Sequence, residues 1–317
     1  MTAFRFSRLC FWFAALCLLL SAPLAAQNRP APLTNGSFTL LTSDSVRLHV
    51  RVAGRGTPCV FVHGGPGAGS YSFEKLGGYR LEDPLRLIYF DQRGSCRSSS
   101  PRRPNYSMAR MVQDLEELRQ HLGLERWVVM AHSFGATIAT AYAAAHPQRV
   151  QGLVLLNAVL NPVASLDSTA QYGASLLPPA ARPAPTLPAM QRVGMVMGAL
   201  QQQKLAYQLQ FSSDTLAARA GRLTQGGPAT PNRDFATQVF SGQLPDYGRD
   251  YVPTTATITL PVLVIVGQDD HITGAGPRTF RFPKQQVVVL PGKHNSFLEQ
   301  PVRFRQAVVS FVQQLPR

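Results

Sequence analysis

Charged residues are scarce in this chain of 317 residues, and acidic ones are the scarcest. Charged residues make up 15% of the chain and hydrophobic residues 45%, which excludes a disordered protein and predicts a sizeable core. Seventeen acidic residues oppose 31 basic ones, for a net charge of +14. The basic residues are scattered, with no Lys/Arg run and no basic helix or aromatic-basic motif. We therefore expect no nucleic-acid partner, and at most an electrostatic preference for anionic surfaces.

The chain also lacks an apolar run long enough to cross a bilayer. Its most apolar stretch, 9–20, is short, follows Arg5 and Arg8, and runs into small residues around Pro23. This pattern predicts a secretory signal peptide over residues 1–26, and we disfavour the alternative, an uncleaved anchor, because of the short run. The sequence thus predicts a secreted or periplasmic protein without a stable membrane span after signal removal.

Cysteine is rare as well. Cys10 and Cys17 fall in the predicted signal peptide, which leaves Cys59 and Cys96. An oxidising compartment would permit a bridge between them. We place Cys59 at the start of one strand and Cys96 beyond the far end of a parallel neighbour, four or five residues of about 3.3 Å each away. Because a disulfide needs Cα atoms within about 7 Å, we expect two free cysteines.

What the chain does have is an alternation of strand and helix patterns. Apolar runs of strand length alternate with Ala-rich or amphipathic stretches, which predicts an α/β fold: a mostly parallel sheet with helices on both faces. The first two strands look like an antiparallel start to the sheet. The length suits one large α/β domain with an insertion, or two small domains. The predicted strands are 37–41, 46–52, 58–62, 85–90, 127–130, 150–156, 261–266 and 285–290, with helices over 108–122, from Phe134 onward and over 301–315.

Residues 158–251 contain no strand of the core type. They carry a proline-rich connector over 178–185 and two expected helices, 193–200 and 205–216. We interpret this segment as an inserted, mainly helical cap. The core is then formed by residues 27–157 and 252–317.

Ser133 lies where the apolar strand 127–130 turns into the Ala-rich helix. The surrounding AHSFG resembles the Gly-x-Ser-x-Gly nucleophile elbow, with Ala131 in place of the first glycine. Such a turn holds its central residue in a strained conformation, clear of the sheet. The pentapeptide alone leaves a simpler alternative open, in which Ser133 only caps the helix.

An acid and a histidine follow two later strands. Asp269 and Asp270 come after strand 261–266, and His294 comes after strand 285–290. Like Ser133, they lie at the carboxyl ends of predicted strands. Their order along the chain, Ser…Asp…His, resembles that of the catalytic residues in α/β hydrolases. We expect His294 to be the base that activates Ser133 and Asp270 to orient it, with Asp269 solvated.

Two other histidines compete with His294 for the role of base. His271 is the main rival. His132 is adjacent to the nucleophile but points away from it by backbone geometry, so we expect it to be a packing or hydrogen-bonding group.

The segment HGGPG at 63–67 can supply hydrogen-bond donors for the oxyanion that forms in acyl transfer. A tetrahedral intermediate places negative charge on the substrate oxygen, which fixed N–H donors must face. We assign the oxyanion hole to the backbone N–H groups of Gly65 and Phe134. The alternative for HGGPG alone is an ordinary tight turn.

Five motifs together resemble the prolyl iminopeptidase-like group of α/β hydrolases: HGGPG at 63–67, DQRGSCRS at 91–98, AHSFG at 131–135, GQDD at 267–270 and GKH at 292–294. The resemblance covers about residues 45–315. It implies the α/β-hydrolase fold with a cap, a Ser–Asp–His triad, an oxyanion hole lined by HGGPG, and a DQRG loop that buttresses the site. It also implies that Asp91 and Arg93 form an ion-paired loop brace.

The chain departs from that group in ways that bear on the substrate. At two positions where the group has glycine, this chain has Cys96 and Ala131. Phe134 stands where the group has tryptophan. Its members hold the substrate amine with glutamates of the cap, yet residues 158–251 contain no Glu and only five Asp. Of these, Asp214 and Asp246 are the candidates for substrate binding.

We therefore expect a secreted serine hydrolase that uses no metal and no organic cofactor. The leading hypothesis is an aminopeptidase of prolyl iminopeptidase type, acting on a short peptide or small molecule through an acyl-enzyme. The alternatives are an esterase or amidase on small acyl substrates, and a non-catalytic binding protein on a hydrolase fold. An epoxide hydrolase or dehalogenase is disfavoured, because those enzymes place Asp at the nucleophile position.

Overall fold

The structure, a computed structural model, describes residues 33–228 and 230–316. The predicted signal peptide, 1–26, lies outside the described residues. Within the described part of the chain, none of the helices combines the length and the apolar character needed to span a bilayer.

One eight-stranded sheet forms the centre of the molecule. Its strand order is β1-β2-β4-β3-β5-β6-β7-β8, antiparallel at β1–β2 and β2–β4 and parallel elsewhere. The predicted fold class, including the antiparallel start, is confirmed. The strands are β1 Gly36–Leu41, β2 Arg47–Gly54, β3 Thr57–Val62, β4 Leu85–Phe90, β5 Trp127–His132, β6 Val150–Leu156, β7 Pro261–Gly267 and β8 Lys284–Leu290.

Helices cover both faces of the sheet because its strands bury alternate residues on opposite sides. Val60 and Val62 of β3 point into one cluster with the second and third helices, while Cys59 and Phe61 point into the other with the first and last. The α-helices are α1 Tyr71–Leu76, α2 Met108–His121, α3 Gly135–Ala145, α4 Pro162–Ser175, α5 Ala189–Gln202, α6 Asp214–Leu223, α7 Asp234–Phe240, α8 Ser296–Glu299 and α9 Pro301–Gln313.

The segment between β6 and β7 carries helices α4 to α7 and no strand in its described residues. Its first half has a small core of its own, in which Leu177, Leu200 and Leu209 are buried. Its second half joins the main core through Phe235 and Tyr247. We call residues 158–251 the cap from here on.

The helix predicted over 205–216 is wrong. Residues 206–209 form a short 3-10 turn, and α6 begins only at Asp214. Ser213 provides the reason, because its side chain accepts a hydrogen bond from the N–H of Leu216 and so starts a new helix. The interruption over 210–213 matters for the site described next, since it brings Gln210 and Phe211 to the cavity.

Cys59 and Cys96 are both free and buried, which confirms the expectation that they form no bridge. Cys96 has a φ of 52°, a left-handed conformation that favours glycine. The glycine that the family resemblance implies at this position would adopt this conformation without strain.

Candidate active site

Ser133 occupies the sharp turn between β5 and α3. Its φ is 54°, in the left-handed region that a non-glycine residue rarely adopts. Hydrogen bonds hold it there, since the N–H of Ser133 donates to Leu156 and its carbonyl accepts from Val159. Gly135 permits the turn, because a Cβ at that position would lie 2.4 Å from the carbonyl oxygen of Val62. The local sequence therefore forces the Ser133 hydroxyl away from the sheet.

The side chains of Ser133, His294 and Asp270 are hydrogen bonded in a line. His294 Nε2 lies 2.8 Å from Ser133 Oγ, and its Nδ1 lies 3.0 Å from Asp270 Oδ2. The loop after β7 carries Asp270 and the loop after β8 carries His294, so the parallel sheet brings them to one edge. Asp269 is exposed. This arrangement allows proton transfer from a serine hydroxyl to an imidazole that a carboxylate orients.

Asp270 is held as a carboxylate although it is buried. Burial alone would raise its pKa, but the charge of His294 and hydrogen bonds from His294, Asn157 and the backbone of Thr273 outweigh burial and hold the pKa of Asp270 well below its ordinary value. The Asp270 side chain therefore stays negative at neutral pH and can stabilise a positive His294 imidazole.

His132 does not contact the Ser133 hydroxyl. Its Nε2 lies 3.1 Å from the carbonyl oxygen of His294, and its ring packs edge-on against Phe297. Burial and the neighbouring charge of His294 lower the pKa of His132 to about 3. It is thus a neutral group that packs beside the His294 loop, and packing or hydrogen bonding is the role that the sequence predicted for it. The other rival, His271, stacks on Tyr172 of the cap.

The loop 63–69 lies directly against the nucleophile. A Cβ at Gly64 would come within 2.8 Å of the Ser133 Cβ, so only glycine allows this approach. Gly65 lines the same cavity as Ser133, and Phe134 is the N-cap residue of α3. Among the described residues, no backbone or side-chain acceptor is found for the N–H groups of Gly65 and Phe134 outside regular helix and strand bonding. Gly65 lines the cavity whereas Phe134 does not, so the oxyanion hole stays a prediction.

The loop 91–98 supports the loop 63–69. The side chain of Gln92 donates to the carbonyl of His63 at 2.7 Å, and the Gln92 N–H donates to His63 Nε2 at 3.0 Å. Asp91 accepts hydrogen bonds from both the N–H and the hydroxyl of Ser70. These contacts with the loop 91–98 hold the HGGPG segment in place.

Asp91 and Arg93 do not pair with each other. This corrects the expectation that the two residues form one ion-paired brace of the loop. Asp91 is paired with Arg97 at 2.6 Å. Arg93 is fully buried and binds Asp114 at 2.6 Å and Asp44 at 2.8 Å. Each residue is therefore a separate ion-paired support of the loop.

A cavity of about 420 Å³ opens in front of Ser133 and His294. Helix α6 and its C-cap residue form one wall with small residues at helical spacing, namely Ala217, Ala220, Gly221 and Thr224. Aromatic and aliphatic side chains form much of the remaining surface, among them Phe73, Leu76, Phe211 and Phe297. Of the described residues, no aspartate or glutamate lines the cavity.

The aspartates of the cap are engaged elsewhere, which corrects the assignment of Asp214 and Asp246 to substrate binding. Asp214 is exposed at the start of α6, and Asp246 accepts a hydrogen bond from the N–H of Met108 at the start of α2. Neither lines the cavity. The other three interact with Arg192 (Asp167), with the Tyr106 hydroxyl (Asp234) and with the N–H of Val252 (Asp250).

The cap is joined to the loop that carries His294. The N–H of Asn295 donates to the carbonyl of Gln210 at 3.2 Å, and the Asn295 side chain donates to the Gln210 amide oxygen at 3.1 Å. Lys293 Nζ donates to the carbonyl of Gln208 and to the hydroxyl of Tyr172. The sequence did not predict these contacts, because they depend on the interruption of the helix over 210–213, before α6 begins.

Sequence reasoning also missed Asn157, which follows β6 and donates to Asp270 Oδ2 at 2.7 Å. Its position offered a signal, because it is a polar residue directly after a buried strand, at the same edge of the sheet as Ser133, Asp270 and His294.

The described residues contain no group of three or more His, Cys, Asp or Glu side chains arranged to hold a metal ion.

Comparison with known proteins gives a family match over most of the chain. A family model described as the alpha/beta hydrolase fold matches residues 57–301. A proline iminopeptidase of Neisseria gonorrhoeae is 42% identical over 106 residues, which cover 32% of each chain. One from Xylella fastidiosa is 38% identical over 143 residues, which cover 44% of this chain and 45% of that one. The matches thus span from about a third to just under half of the length of these relatives.

A solved structure extends the likeness to nearly the whole chain. A proline iminopeptidase-related protein from Thermus thermophilus has a TM-score of 0.75 at 24% identity, covering 89% of this chain and 98% of that one. At this identity, the likeness shows a common fold.

Proposed function

The chain belongs to the alpha/beta hydrolase fold family, in its prolyl iminopeptidase-like group, and we propose that it is a serine hydrolase that cleaves its substrate through a covalent acyl-enzyme. The observation that carries the proposal is the hydrogen-bonded line from Asp270 through His294 to Ser133, which opens onto a cavity. A serine that served only as a helix cap would not require a buried histidine and carboxylate behind it.

The proposed mechanism follows from the positions of these atoms. His294 Nε2 takes the proton of Ser133 as Oγ attacks the substrate carbonyl carbon, and Asp270 stabilises the imidazolium that forms. The carbonyl oxygen becomes an oxyanion and accepts hydrogen bonds from the N–H groups of Gly65 and Phe134. The position of Phe134 at the start of α3 adds the favourable end of the helix dipole.

Collapse of this intermediate breaks the bond to the leaving group, which takes the proton from His294. Water then attacks the acyl-enzyme, with His294 acting again as the base, and Ser133 recovers its proton when the carboxylic acid leaves. The step uses only water and groups of this chain.

We propose that the substrate presents an uncharged, compact acyl group, so that the reaction is the hydrolysis of a carboxylic ester or amide. The support is the lining of the cavity, which has apolar and small side chains but no carboxylate among the described residues. An ammonium group buried there without a partner would cost several kcal/mol. All five cap aspartates that could have served have partners or positions elsewhere.

The second candidate is the leading hypothesis from the sequence, an aminopeptidase of prolyl iminopeptidase type. The names of the curated relatives favour it. In this case the substrate amine would have to be neutral or be held by uncharged acceptors. The amide oxygen of Gln210 is one such group at the cavity, although it already accepts a hydrogen bond from Asn295.

A matched pair of substrates separates the two candidates. The rates of hydrolysis of proline 4-nitroanilide and N-acetylproline 4-nitroanilide are compared, with 4-nitrophenyl butyrate as an ester and Ser133→Ala as the control. We expect Ser133-dependent cleavage of the ester, and no preference for the free amine. A kcat/KM for the free amine far above that of the acetylated partner would overturn the neutral-acyl proposal and establish the aminopeptidase.

Export of the protein stays a prediction from the sequence of residues 1–26.

A further inference from the structure

Asn157 connects the two loops that carry Asp270 and His294. It follows β6, is fully buried, and its side-chain nitrogen donates to Asp270 Oδ2 at 2.7 Å and to the carbonyl oxygen of Lys293 at 3.2 Å. Its side-chain oxygen accepts a hydrogen bond from the hydroxyl of Ser296 at 2.9 Å. One amide group is therefore bonded to the acid and to residues that precede and follow His294.

Asn157 does not line the cavity, so it is placed to act through other residues and not on the substrate. We propose that Asn157 is a positioning residue, which fixes the Asp270 carboxylate against His294 and holds the His294 loop at the distance that Ser133 requires. This inference rests on the proposed function, since it concerns the same set of catalytic side chains.

Chemistry explains why an asparagine stands here. A side-chain amide supplies two N–H donors and an acceptor oxygen, and all three contacts at this position use them. An aspartate would have the same shape but would face the Asp270 carboxylate with a second one, and two adjacent carboxylates cannot both ionise without a strong rise in pKa.

The backbone adds a second restriction. Asn157 has a φ of 44°, in the left-handed region that asparagine, aspartate and glycine tolerate best. Its N–H donates to the carbonyl of Ile265 at 2.7 Å, which fixes the residue between β6 and β7. Substitution by aspartate or glycine therefore changes the side chain while leaving this conformation accessible.

Other titratable groups near Asp270 and His294 are accounted for. His132 has its pKa lowered to about 3 and is neutral at working pH, and His271 stacks on Tyr172. The ammonium of Lys293 points to the cap, where Gln208 and Tyr172 hold it. Glu299 accepts a hydrogen bond from the N–H of Lys293. None of these contacts involves the Asn157 side chain.

The test compares Asn157→Asp, Asn157→Gly and Ser296→Ala with the wild type, using 4-nitrophenyl butyrate as the substrate. The readouts are kcat, KM and the pH dependence of kcat/KM, together with the melting temperature of each variant. Ser296→Ala is the matched control, because it removes a hydrogen bond to Asn157 without touching Asp270.

We expect kcat to fall about 100-fold in Asn157→Asp and at least about tenfold in Asn157→Gly, with little change in KM, since misplacement of a catalytic group by about 1 Å has effects of this size. In the pH profile of kcat/KM, the apparent pKa below which activity falls should rise in both variants, and most in Asn157→Asp. The reason is that extra negative charge, or a carboxylate that has lost its donor, stabilises protonated His294. Ser296→Ala should show a smaller loss of kcat, and the acidic side of its pH profile should not shift.

If both Asn157 variants keep kcat within about twofold and leave the limb in place, the positioning role is refuted. Should Asn157→Asp not fold, Asn157→Gly carries the test alone. Ser133→Ala, assayed in parallel, separates the two levels of the account. Activity near that of the wild type in Ser133→Ala contradicts the proposed function, whereas a large loss of activity in Ser133→Ala beside fully active Asn157 variants contradicts only this inference.

Discussion

His294 Nε2 lies 2.8 Å from Ser133 Oγ although 161 positions separate the two residues in the chain. If this contact is the path of the proton, His294→Ala should lower kcat by several orders of magnitude and leave the fold intact. The measurement is the rate of ester hydrolysis, with circular dichroism as the control for folding. Turnover near that of the wild type in a folded variant would exclude His294 as the base.

Asp270 and Asp269 offer a matched comparison, because they are adjacent but only Asp270 is buried and bonded to His294. Asp270→Asn should place His294 in the wrong tautomer and reduce kcat about 10⁴-fold. Asp269→Asn should have little effect, since its side chain is exposed. Kinetics of the two purified variants decide the matter, and a reversal of the two effects would mean that the acid is misassigned by one residue.

Gly221 of α6 provides a test of the cavity as the acyl site. It lines the cavity, and a Cβ added there meets no atom within 4 Å. Gly221→Leu should therefore fold well and narrow the cavity, lowering kcat/KM for esters of long or branched acids while that for 4-nitrophenyl acetate is retained.

The control is Gly198→Leu in α5, which also meets open space but does not line the cavity. Both changes replace a helical glycine, and each should favour its helix by up to about 1 kcal/mol. If the acyl preference of Gly221→Leu equals that of Gly198→Leu, the acyl group does not bind against α6.

Arg93 is expected to matter for stability and not for substrate contact. It is fully buried between Asp114 and Asp44, so Arg93→Met leaves the buried Asp114 carboxylate with Arg110 as its remaining ion-pair partner and should cost up to about 3–5 kcal/mol of unfolding free energy. Denaturant unfolding measures this loss. The control is Arg55→Met, which removes an exposed pair with Asp83 and should change the unfolding midpoint little. Equal midpoints for the two variants would contradict the brace.

The sequence was sufficient to predict the sheet, because buried parallel strands appear as short apolar runs and their carboxyl ends share one edge. Ser133, Asp270 and His294 could be predicted to meet for the same reason, since each follows such a strand. The HGGPG and DQRG segments could be related to one another only through the family resemblance, although their contacts, Gln92 to His63 above all, are simple hydrogen bonds.

The cap could not be predicted in the same way. Which aspartate faces the cavity depends on how α4 to α7 pack, and the sequence has no periodicity that specifies this packing. Asp214 and Asp246 were therefore misassigned, and the break before α6 was missed because Leu205, Leu209 and Leu216 repeat at nearly helical spacing. Arg93 was likewise given the wrong partner, since Asp44 and Asp114 are distant in sequence and are brought together only by the fold.

The most direct test of the account is covalent labelling of Ser133. The wild type and Ser133→Ala are incubated with diisopropyl fluorophosphate, and their intact masses and labelled peptides are determined. We expect one phosphoryl adduct on the wild type, located at Ser133, with loss of ester hydrolysis in step with labelling, and no adduct on Ser133→Ala. Hydrolysis near the wild-type rate in the fully labelled enzyme, or in Ser133→Ala, would contradict the assignment of Ser133 as the nucleophile.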